Sequence, residues 1–403
     1  MSGSRSVPER IARHVRDVPR SGIRDFFDLV SGMRDVISLG VGEPDFDTPW
    51  RVREAAIFAL EKGATHYTSN FGLLKLRRAI ARYVERAFGL SYDPEREILV
   101  TVGVSEAMDL ATRALINPGD GVLYPEPGYV SYRPLIVFAH GAPEAIETDG
   151  AGGFRLTRER LESRATDATR LLIVNFPNNP TGVALTEPEA REIAAFAVER
   201  DLLVLSDEIY AELTYGRPHV SLAAQPGMRE RTVFLHGFSK AWAMTGFRLG
   251  YACAPVPLIE AMMKIHQYTM LCAPVLSQEA AIEALTNPER EIAAMREEYD
   301  RRRRFVTASF REMGIPCATP EGAFYAFPRV ADFGLTSREF SLRLLEEEKV
   351  AAVPGTAFGR CGEGYLRCSY ATAMDELEEA MRRIARWVRR LRNGEDKRAR
   401  NGV

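Results

Sequence analysis

The chain has 403 residues, 46% of them hydrophobic and 27% charged, with a formal net charge of −2 at pH 7. This length and composition predict a globular protein with room for two domains. Acidic residues outnumber basic ones by 55 to 53, so nucleic acid is not expected as a main partner. The arginine clusters at 301–304 and 383–400 are interpreted as solvated helix faces and tail.

The sequence has no apolar stretch of the ~20 residues that a membrane span needs, and no signal-peptide pattern near its start. We therefore expect no membrane association and a cytoplasmic location. The five cysteines and six histidines are scattered along the chain. Because they lack metal-ligand spacing, neither a disulfide framework nor a bound metal is predicted.

Strand-like and helix-like patterns alternate from about Trp50 to about Leu285. This alternation predicts an α/β fold with a mostly parallel sheet that helices cover on both faces. A long charged helix is predicted at 289–313, where it would connect two domains. The predicted bounds are 48–288 for a large domain and 1–47 with 289–403 for a smaller α+β domain.

Two predicted strands, at 97–102 and 170–175, end in segments suited to a ligand. The first runs into a small-residue turn at 103–105 that opens a helix and offers free backbone N–H groups to an anion. The second runs into the rigid turn 176–182, where Asn179 can point its amide at a ligand. Ordinary turn chemistry would also explain either segment on its own.

A third strand, at 201–206, leads into Asp207 and Tyr210. An aspartate here can pair with a protonated ring nitrogen, which keeps a pyridine ring cationic and able to accept electrons. Tyr210, three residues on, can reach a phenolic oxygen of the same ring. Helix capping alone would also account for an aspartate at position 207.

Lys240 follows a fourth strand, at 232–235, and Arg248 lies eight positions further on. A lysine amine forms a Schiff base with a carbonyl, and an arginine binds a phosphate through two parallel hydrogen bonds. Pyridoxal 5'-phosphate (PLP) carries both groups. A lone lysine after a strand is usually a solvated loop residue, but four strand ends of complementary chemistry predict one ligand site at the carboxyl edge of the sheet.

With these residues in place, the chain resembles the class I/II aminotransferases of PLP fold type I, from about Ser38 to about Ala371. The matching segments lie at 40–49 (GVGEPDFDTP), 67–77, 103–107, 178–182 (NNPTG), 207–210 (DEIY), 239–251 (SKAWAMTGFRLGY), 321–325, 353–355 and 365–370. The resemblance implies a seven-stranded, mostly parallel sheet in the large domain. It also implies transfer of an amino group from an L-amino acid to a 2-oxo acid, expected to be 2-oxoglutarate, in a ping-pong reaction through PLP and pyridoxamine phosphate.

Roles for single residues follow from the same resemblance. Lys240 would hold the cofactor as a Schiff base and then shuttle a proton between substrate and cofactor. Arg248 would bind the phosphate, and Arg367 would clamp the substrate α-carboxylate. The other assigned contacts are the backbone of Val104 and Ser105 for the phosphate, Asp207 for the ring nitrogen, Asn179 and Tyr210 for the ring oxygen, Tyr129 for stacking on the ring, and Gly42 with Asn179 beside the substrate.

Two positions extend the resemblance or depart from it. Tyr67 resembles the tyrosine that reaches the cofactor phosphate of a neighbouring subunit, which implies a homodimer with shared active sites. Position 237 holds a glycine, whereas many relatives carry a phosphate-contacting serine there. Ser239 or a backbone amide is expected to replace that contact.

The substrate side chain is the part of the prediction with several alternatives. An acidic substrate calls for a second cation, and an aromatic one calls for an apolar, ring-lined pocket. The segments 23–27 and 267–271 are candidates for lining it. The sequence as a whole most resembles those of aspartate, aromatic and N-acetyl-diaminopimelate aminotransferases.

Two other functions share this fold and cofactor. A carbon–sulfur β-lyase or an aminocyclopropane-carboxylate synthase would use the same lysine and break a different bond. A noncatalytic PLP-sensing regulator is the more remote alternative. It needs a DNA-binding domain, and no helix-turn-helix fits plainly within the first ~40 residues.

Overall fold

The computed structural model describes residues 7–24, 30, 32–286 and 289–394. The strands, in chain order, are β1 (Ile37–Ser38), β2 (Ile98–Thr101), β3 (Gly121–Glu126), β4 (Ala142–Glu147), β5 (Thr169–Asn175), β6 (Leu203–Asp207), β7 (Thr232–Gly237), β8 (Gly250–Cys253), β9 (Tyr325–Ala326), β10 (Val350–Ala351), β11 (Val353–Pro354) and β12 (Leu366–Ser369).

The α-helices among these residues are α1 (Val7–Arg10), α2 (Arg13–Arg16), α3 (Trp50–Glu61), α4 (Leu74–Phe88), α5 (Gly103–Leu115), α6 (Tyr132–Phe138), α7 (Arg158–Arg164), α8 (Glu187–Glu199), α9 (Val256–Thr269), α10 (Val275–Ala284), α11 (Glu289–Glu312), α12 (Ser337–Glu348) and α13 (Met374–Arg392).

The largest sheet has seven strands in the order β2-β8-β7-β6-β5-β3-β4. Neighbours from β7 to β4 pair in parallel, whereas β8 runs antiparallel to both β2 and β7. The parallel strands β5, β6 and β7 therefore end at the same edge. Polar site residues that follow these strands are brought together there.

Helices cover both faces of this sheet, as its continuous apolar strands require. In β5, Leu171 and Ile173 pack with α5 and α9 on one face. Leu172 and Val174, which alternate with them, pack with α8 on the other. Successive side chains of a strand point to opposite faces, so a strand without polar alternation is buried on both.

A smaller group of elements contains the antiparallel sheet β11-β12-β9 and the helices α11, α12 and α13. Its core includes Trp387 of α13 and Phe340 of α12, whose ring centroids lie 4.7 Å apart in an edge-to-face arrangement. The strand β1 joins this group by pairing in parallel with β10. The early part of the chain is thereby tied to its C-terminal third.

The segment 39–45 leaves β1 and runs toward the edge of the large sheet. At its start, the Leu39 N–H donates to Ala351 O at 2.8 Å, and the Ser369 N–H donates to Leu39 O at 2.7 Å. At its end, Asp45 accepts two hydrogen bonds from Arg302 of α11, at 2.8 and 2.9 Å. The segment is held at both ends by the smaller group of elements.

The α/β class and the seven-stranded, mostly parallel sheet are confirmed. The helix α11 occupies the stretch in which the long charged helix was expected. The division into two domains stays a prediction, and its boundary at residue 288 lies outside the described residues.

Within the described ranges, no helix is both long and apolar enough to cross a membrane. No group of three or more His, Cys, Asp and Glu side chains is placed to hold a metal ion in this part of the chain. The five cysteines have free thiols.

Candidate active site

A cavity of about 580 Å³ opens at the carboxyl edge of the large sheet. Eleven of the twelve site residues expected from the sequence line it. They are Gly42, Val104, Ser105, Tyr129, Asn179, Asp207, Tyr210, Ser239, Lys240, Arg248 and Arg367. The sheet topology explains this convergence, because the strands that carry most of these residues are neighbours.

Lys240 lies three residues beyond the end of β7 and points its amine into the cavity. Its Nζ donates to the carbonyl oxygen of Gly42 at 2.6 Å. Burial lowers the pKa of this amine to about 8, and the positive charges of Arg367 and Arg248 act in the same direction, against attraction by Glu43. Roughly a tenth of the amine is therefore uncharged, and nucleophilic, at pH 7.

Arg248 lies beside the first turn of α5. A Cβ atom built on Gly103 would come within 2.8 Å of its Nη2 atom, so the guanidinium lies against the helix start. Val104 and Ser105 follow in the same turn and line the cavity. A cation next to the free N–H groups of a helix N-terminus favours an anion such as a phosphate.

Two glycines allow this close approach of helix and strands. Gly237 and Gly250 are paired across β7 and β8. A Cβ atom on Gly250 would lie 2.6 Å from the Val104 nitrogen, and one on Gly237 would lie 2.9 Å from the Gly250 Cα and 3.0 Å from the Val104 Cγ2. The structure thus gives a physical reason for glycine at 237, where a serine side chain would have no space. Ser239 lines the cavity nearby.

Asp207 ends β6 and is almost completely buried. Burial raises the pKa of its carboxyl group to about 6, while the hydrogen bond from Tyr132 opposes this rise. The Tyr132 hydroxyl donates to Asp207 Oδ2 at 2.8 Å, and the Ile209 N–H donates to Oδ1 at 3.3 Å. These donors favour the ionised carboxylate, the form that pairs with a cationic ring nitrogen.

Arg367 is 2% exposed, and three groups hold its guanidinium in the cavity wall. It donates to Gly40 O at 2.5 Å and to Asn179 Oδ1 at 3.2 Å. The ring centroid of Tyr325 lies 4.6 Å from its central carbon. Its Nε is buried and has no partner among the described residues. A buried arginine with an unused donor is suited to a carboxylate.

The hydroxyl of Tyr210 lies 2.9 Å from that of Tyr325. Burial raises the pKa of Tyr210 well above its usual range, so this phenol remains a hydrogen-bond donor. The Lys240 amine lies 5.7 Å from the ring centroid of Tyr210. Lysine, phenols and Arg367 therefore share one side of the cavity.

The chemical groups that line the cavity match the functional groups of PLP. The cavity contains an amine of lowered pKa for an aldehyde, and a buried carboxylate for a ring nitrogen. It also has a helix start beside an arginine for a phosphate. Arg367 in the cavity wall supplies a guanidinium for a second anion.

Sequence reasoning gave no role to Tyr132 or Tyr325, which both line the cavity. Tyr325 lies in the matching segment 321–325, and Tyr132 lies three residues after Tyr129. Their partners are far away in the sequence: Asp207 is 75 residues from Tyr132, and Tyr210 is 115 residues from Tyr325. Only the folded chain shows these contacts.

Tyr67 and the two segments considered for the side-chain pocket are placed as follows. Tyr67 is 83% exposed and does not line the cavity of its own chain. In the segment 267–271, Tyr268 is 86% exposed, and none of its residues lines the cavity. In the segment 23–27, Ile23 lines the cavity, whereas residues 25–27 lie outside the described part of the chain.

Comparison with known proteins gives consistent results. A family model described as aminotransferase class I and II matches residues 34–384. The chain is 50% identical over 378 residues to a putative aminotransferase, YugH, of Bacillus subtilis, which covers 94% of this chain and 98% of the relative. It is 48% identical over 372 residues to an aspartate aminotransferase of Pyrococcus abyssi, with 92% and 96% covered.

Solved structures agree with this result. The aromatic aminotransferase of Pyrococcus horikoshii superposes with a TM-score of 0.87 at 48% identity, covering 92% of this chain and all of the other. The aspartate aminotransferase of Thermus thermophilus with maleate has a TM-score of 0.90 at 37% identity, covering 95% of this chain and all of the other.

Proposed function

The chain belongs to the class I and II aminotransferases, and we propose which role each cavity residue has in the reaction of that family. The enzyme transfers an amino group between an amino acid and a 2-oxo acid and depends on PLP. The ping-pong mechanism is general for the family. The observation that carries the proposal is the meeting of the Lys240 amine, the Asp207 carboxyl and the Arg248 guanidinium in one cavity.

When bound, PLP supplies an aldehyde that takes up the amino group and a cationic ring that draws electrons from the substrate α-carbon. Lys240 provides the amine that binds the aldehyde carbon. Its Nζ would then move a proton between the substrate α-carbon and the cofactor. The lowered pKa supports both tasks, because an uncharged amine is a nucleophile and a base.

Asp207 holds the ring nitrogen, and its ionised form stabilises the ring cation. Tyr129 stacks on the ring, and the Asn179 amide and the Tyr210 hydroxyl orient the ring oxygen. The contact between Asn179 Oδ1 and Arg367 supports this assignment, because it turns the Asn179 Nδ2 group away from the arginine.

The phosphate is bound by Arg248, by the backbone N–H groups of Val104 and Ser105, and by Ser239. The α-carboxylate of the substrate is bound by Arg367 beside Gly42. The planar guanidinium gives two-point recognition of a carboxylate, which fixes the direction of the α-C–H bond toward Lys240.

The active unit is proposed to be a homodimer in which Tyr67 contacts the phosphate bound by the partner subunit. The exposure of Tyr67 supports this, since a phenol 83% exposed is free to reach another chain. The helix α3 adds four large apolar residues that are roughly half exposed, at 49–60%. These are Trp50, Ile57, Phe58 and Leu60. A concentration of exposed apolar side chains marks a contact surface.

The acceptor is proposed to be 2-oxoglutarate and the location the cytoplasm. The test has two stages. A panel of acidic and aromatic amino acids is first added, as donors, to the PLP-loaded enzyme, and 2-oxoglutarate is then added as the acceptor. We expect the visible absorbance of the bound cofactor to fall with an effective donor and to return on addition of 2-oxoglutarate. Release of ammonia or a thiol without any 2-oxo acid would favour a lyase. Cell fractionation tests the location.

The Lys240→Ala variant tests the role proposed for Lys240. Turnover should fall by several orders of magnitude, because both binding of the aldehyde and proton transfer depend on Nζ. Lys264→Ala, which removes an exposed lysine of α9, is the control and should leave turnover unchanged. Near-normal turnover in Lys240→Ala would remove this residue from the mechanism.

A further inference from the structure

His266 and Glu106 form a buried pair behind the first turn of α5. His266 belongs to the last turn of α9 and is completely buried. Its Nδ1 donates to Glu106 Oε1 at 2.6 Å. Neither residue lines the cavity, so the mechanism proposed above gives the pair no part.

The second oxygen of Glu106 connects this pair to the start of the helix. Glu106 Oε2 accepts from the backbone N–H of Val102 at 2.5 Å. Val102 precedes α5 and has no polar side chain with which to cap it. The Glu106 carboxylate reaches back from the first turn to the N–H of this N-cap residue, as the acidic residue of a capping box does. The position of the helix start therefore depends on the orientation of the Glu106 carboxyl group.

His266 fixes that orientation with one directional contact. Its Nε2 is buried and has no hydrogen-bond partner among the described residues, so the ring's polar interaction is with Glu106. On the other side of the turn, the Thr101 hydroxyl donates to Gly103 O at 2.9 Å. Two buried contacts thus hold the turn whose next residues, Val104 and Ser105, point into the cavity.

We propose that His266 is a positioning residue for the phosphate group: through Glu106 and Val102 it holds the first turn of α5 in the orientation that directs its N–H groups at the phosphate beside Arg248. This rests on the proposed function, which places the phosphate there. The helix start and the arginine lie within contact distance, so a small rotation of the turn would separate the two halves of the phosphate site.

The test compares binding of PLP and of pyridoxal, which lacks the phosphate, to the cofactor-free protein. His266→Phe removes the Nδ1 donor and keeps a planar ring. PLP should bind about tenfold more weakly to this variant, whereas pyridoxal affinity should change by less than about twofold. His266→Asn keeps an N–H donor near the position of Nδ1 and should restore PLP affinity to within about threefold of the original.

Thr112→Val is the matched control. It removes a buried hydrogen bond within the same helix, from Oγ1 to Met108 O at 3.0 Å, but away from the helix start. It should leave the ratio of the two affinities unchanged. A 31P spectrum of bound PLP gives an independent readout, since the phosphate resonance should move in His266→Phe and not in Thr112→Val.

Equal weakening of PLP and pyridoxal in His266→Phe, or no weakening, would overturn the positioning role. So would an asparagine variant as impaired as the phenylalanine one, or a selective loss of PLP affinity in Thr112→Val. If the unaltered protein binds PLP no more tightly than pyridoxal, the phosphate site itself is wrong, which separates that failure from failure of the His266 inference.

Discussion

The Lys240 amine is made reactive by burial and by two arginines with which it shares no hydrogen bond. Burial lowers its pKa to about 8, and Arg367 contributes more than Arg248. The same arginines are proposed to bind the two anionic groups of the reaction. Charges that hold the ligands therefore also keep the nucleophile partly uncharged.

This arrangement predicts the pH dependence of the cofactor-free protein. The rate at which Lys240 captures pyridoxal should rise with pH and level off, with a midpoint near 8, because the amine reacts only after losing its proton. Removing a neighbouring positive charge stabilises the ammonium form, so Arg367→Gln should move the midpoint upward, toward the 10.5 of an ordinary lysine. Stopped-flow absorbance provides the rates.

The relative size of the shifts that different arginine variants cause is part of this prediction. Arg248→Gln should shift the midpoint less than Arg367→Gln does, and Arg329→Gln, which changes an exposed arginine paired with Asp332, should not shift it. A midpoint that stays near 8 in Arg367→Gln would show that the charge of Arg367 does not lower the pKa of Lys240.

A second prediction concerns Tyr132. In Tyr132→Phe the Asp207 carboxylate loses a donor, so its pKa should rise above the present value of about 6. The weaker charge pair should reduce PLP affinity about tenfold, since a hydrogen bond to a charged group contributes roughly 1.5–3 kcal/mol. An analogue of PLP with carbon in place of the ring nitrogen should bind the variant and the original protein equally, as measured by equilibrium titration.

Tyr124 offers a matched control for this experiment. It is also a buried tyrosine bonded to a carboxylate, with its hydroxyl 2.9 Å from Glu126 Oε1. Tyr124→Phe should not change the affinity ratio of the two cofactors. A similar loss for both cofactors in Tyr132→Phe would mean that Tyr132 supports the cavity wall and does not act on Asp207.

At the scale of elements, β7 and β8 contact the start of α5 so closely that neither Gly237 nor Gly250 has room for a side chain. The sequence suggested that position 237 lacks a phosphate-binding serine. The structure shows that a side chain there would meet the Gly250 Cα, the Leu249 carbonyl oxygen and the Val104 Cγ2, each within 3.0 Å. The glycine is needed for packing of the three elements.

Gly237→Ser should therefore lower the free energy of unfolding, by about 1–3 kcal/mol for an overpacked site. It should also weaken PLP binding, because the start of α5 must move to accommodate the new side chain. Urea denaturation of the cofactor-free protein measures the first effect. Gly246→Ala, at a glycine with no atom within 4 Å of the added Cβ, should change stability by less than about 0.5 kcal/mol. An equally stable Gly237→Ser variant would contradict this account.

Sequence patterns predicted the long elements better than the short ones. The apolar runs that became β5, β6 and β7 carried a clear signal because they are buried on both faces. Strands such as β9 and β11 have two residues each, too few for any periodicity. Residues that follow long strands could be grouped in advance, whereas Tyr132, Tyr325 and His266 act through partners that are distant in the sequence.

At the scale of the whole molecule, the proposed sharing of active sites gives a further prediction. Lys240→Ala and Tyr67→Ala subunits should each form poorly active dimers. After unfolding and refolding together, mixed dimers should regain activity, because one of their two sites then combines an intact Lys240 with an intact Tyr67 from the other chain. Size measurement should show twice the 45.0 kDa of one chain.

The outcome distinguishes two arrangements. If Tyr67 served the cavity of its own chain, no mixed dimer would contain a complete site, and mixing would give no more activity than the separate variants. The exposure of Tyr67 and its absence from the lining of its own cavity favour the shared arrangement.

The segment 39–45 accepts hydrogen bonds from two of the basic side chains of the cavity. Arg367 binds the carbonyl of Gly40, and Lys240 binds the carbonyl of Gly42, only two residues away. Because the smaller group of elements also holds both ends of this segment, the spacing between the two basic groups is set by two peptide units of the backbone. The distance between the anion-binding guanidinium and the nucleophile is thus fixed by the covalent geometry of a segment that belongs to neither.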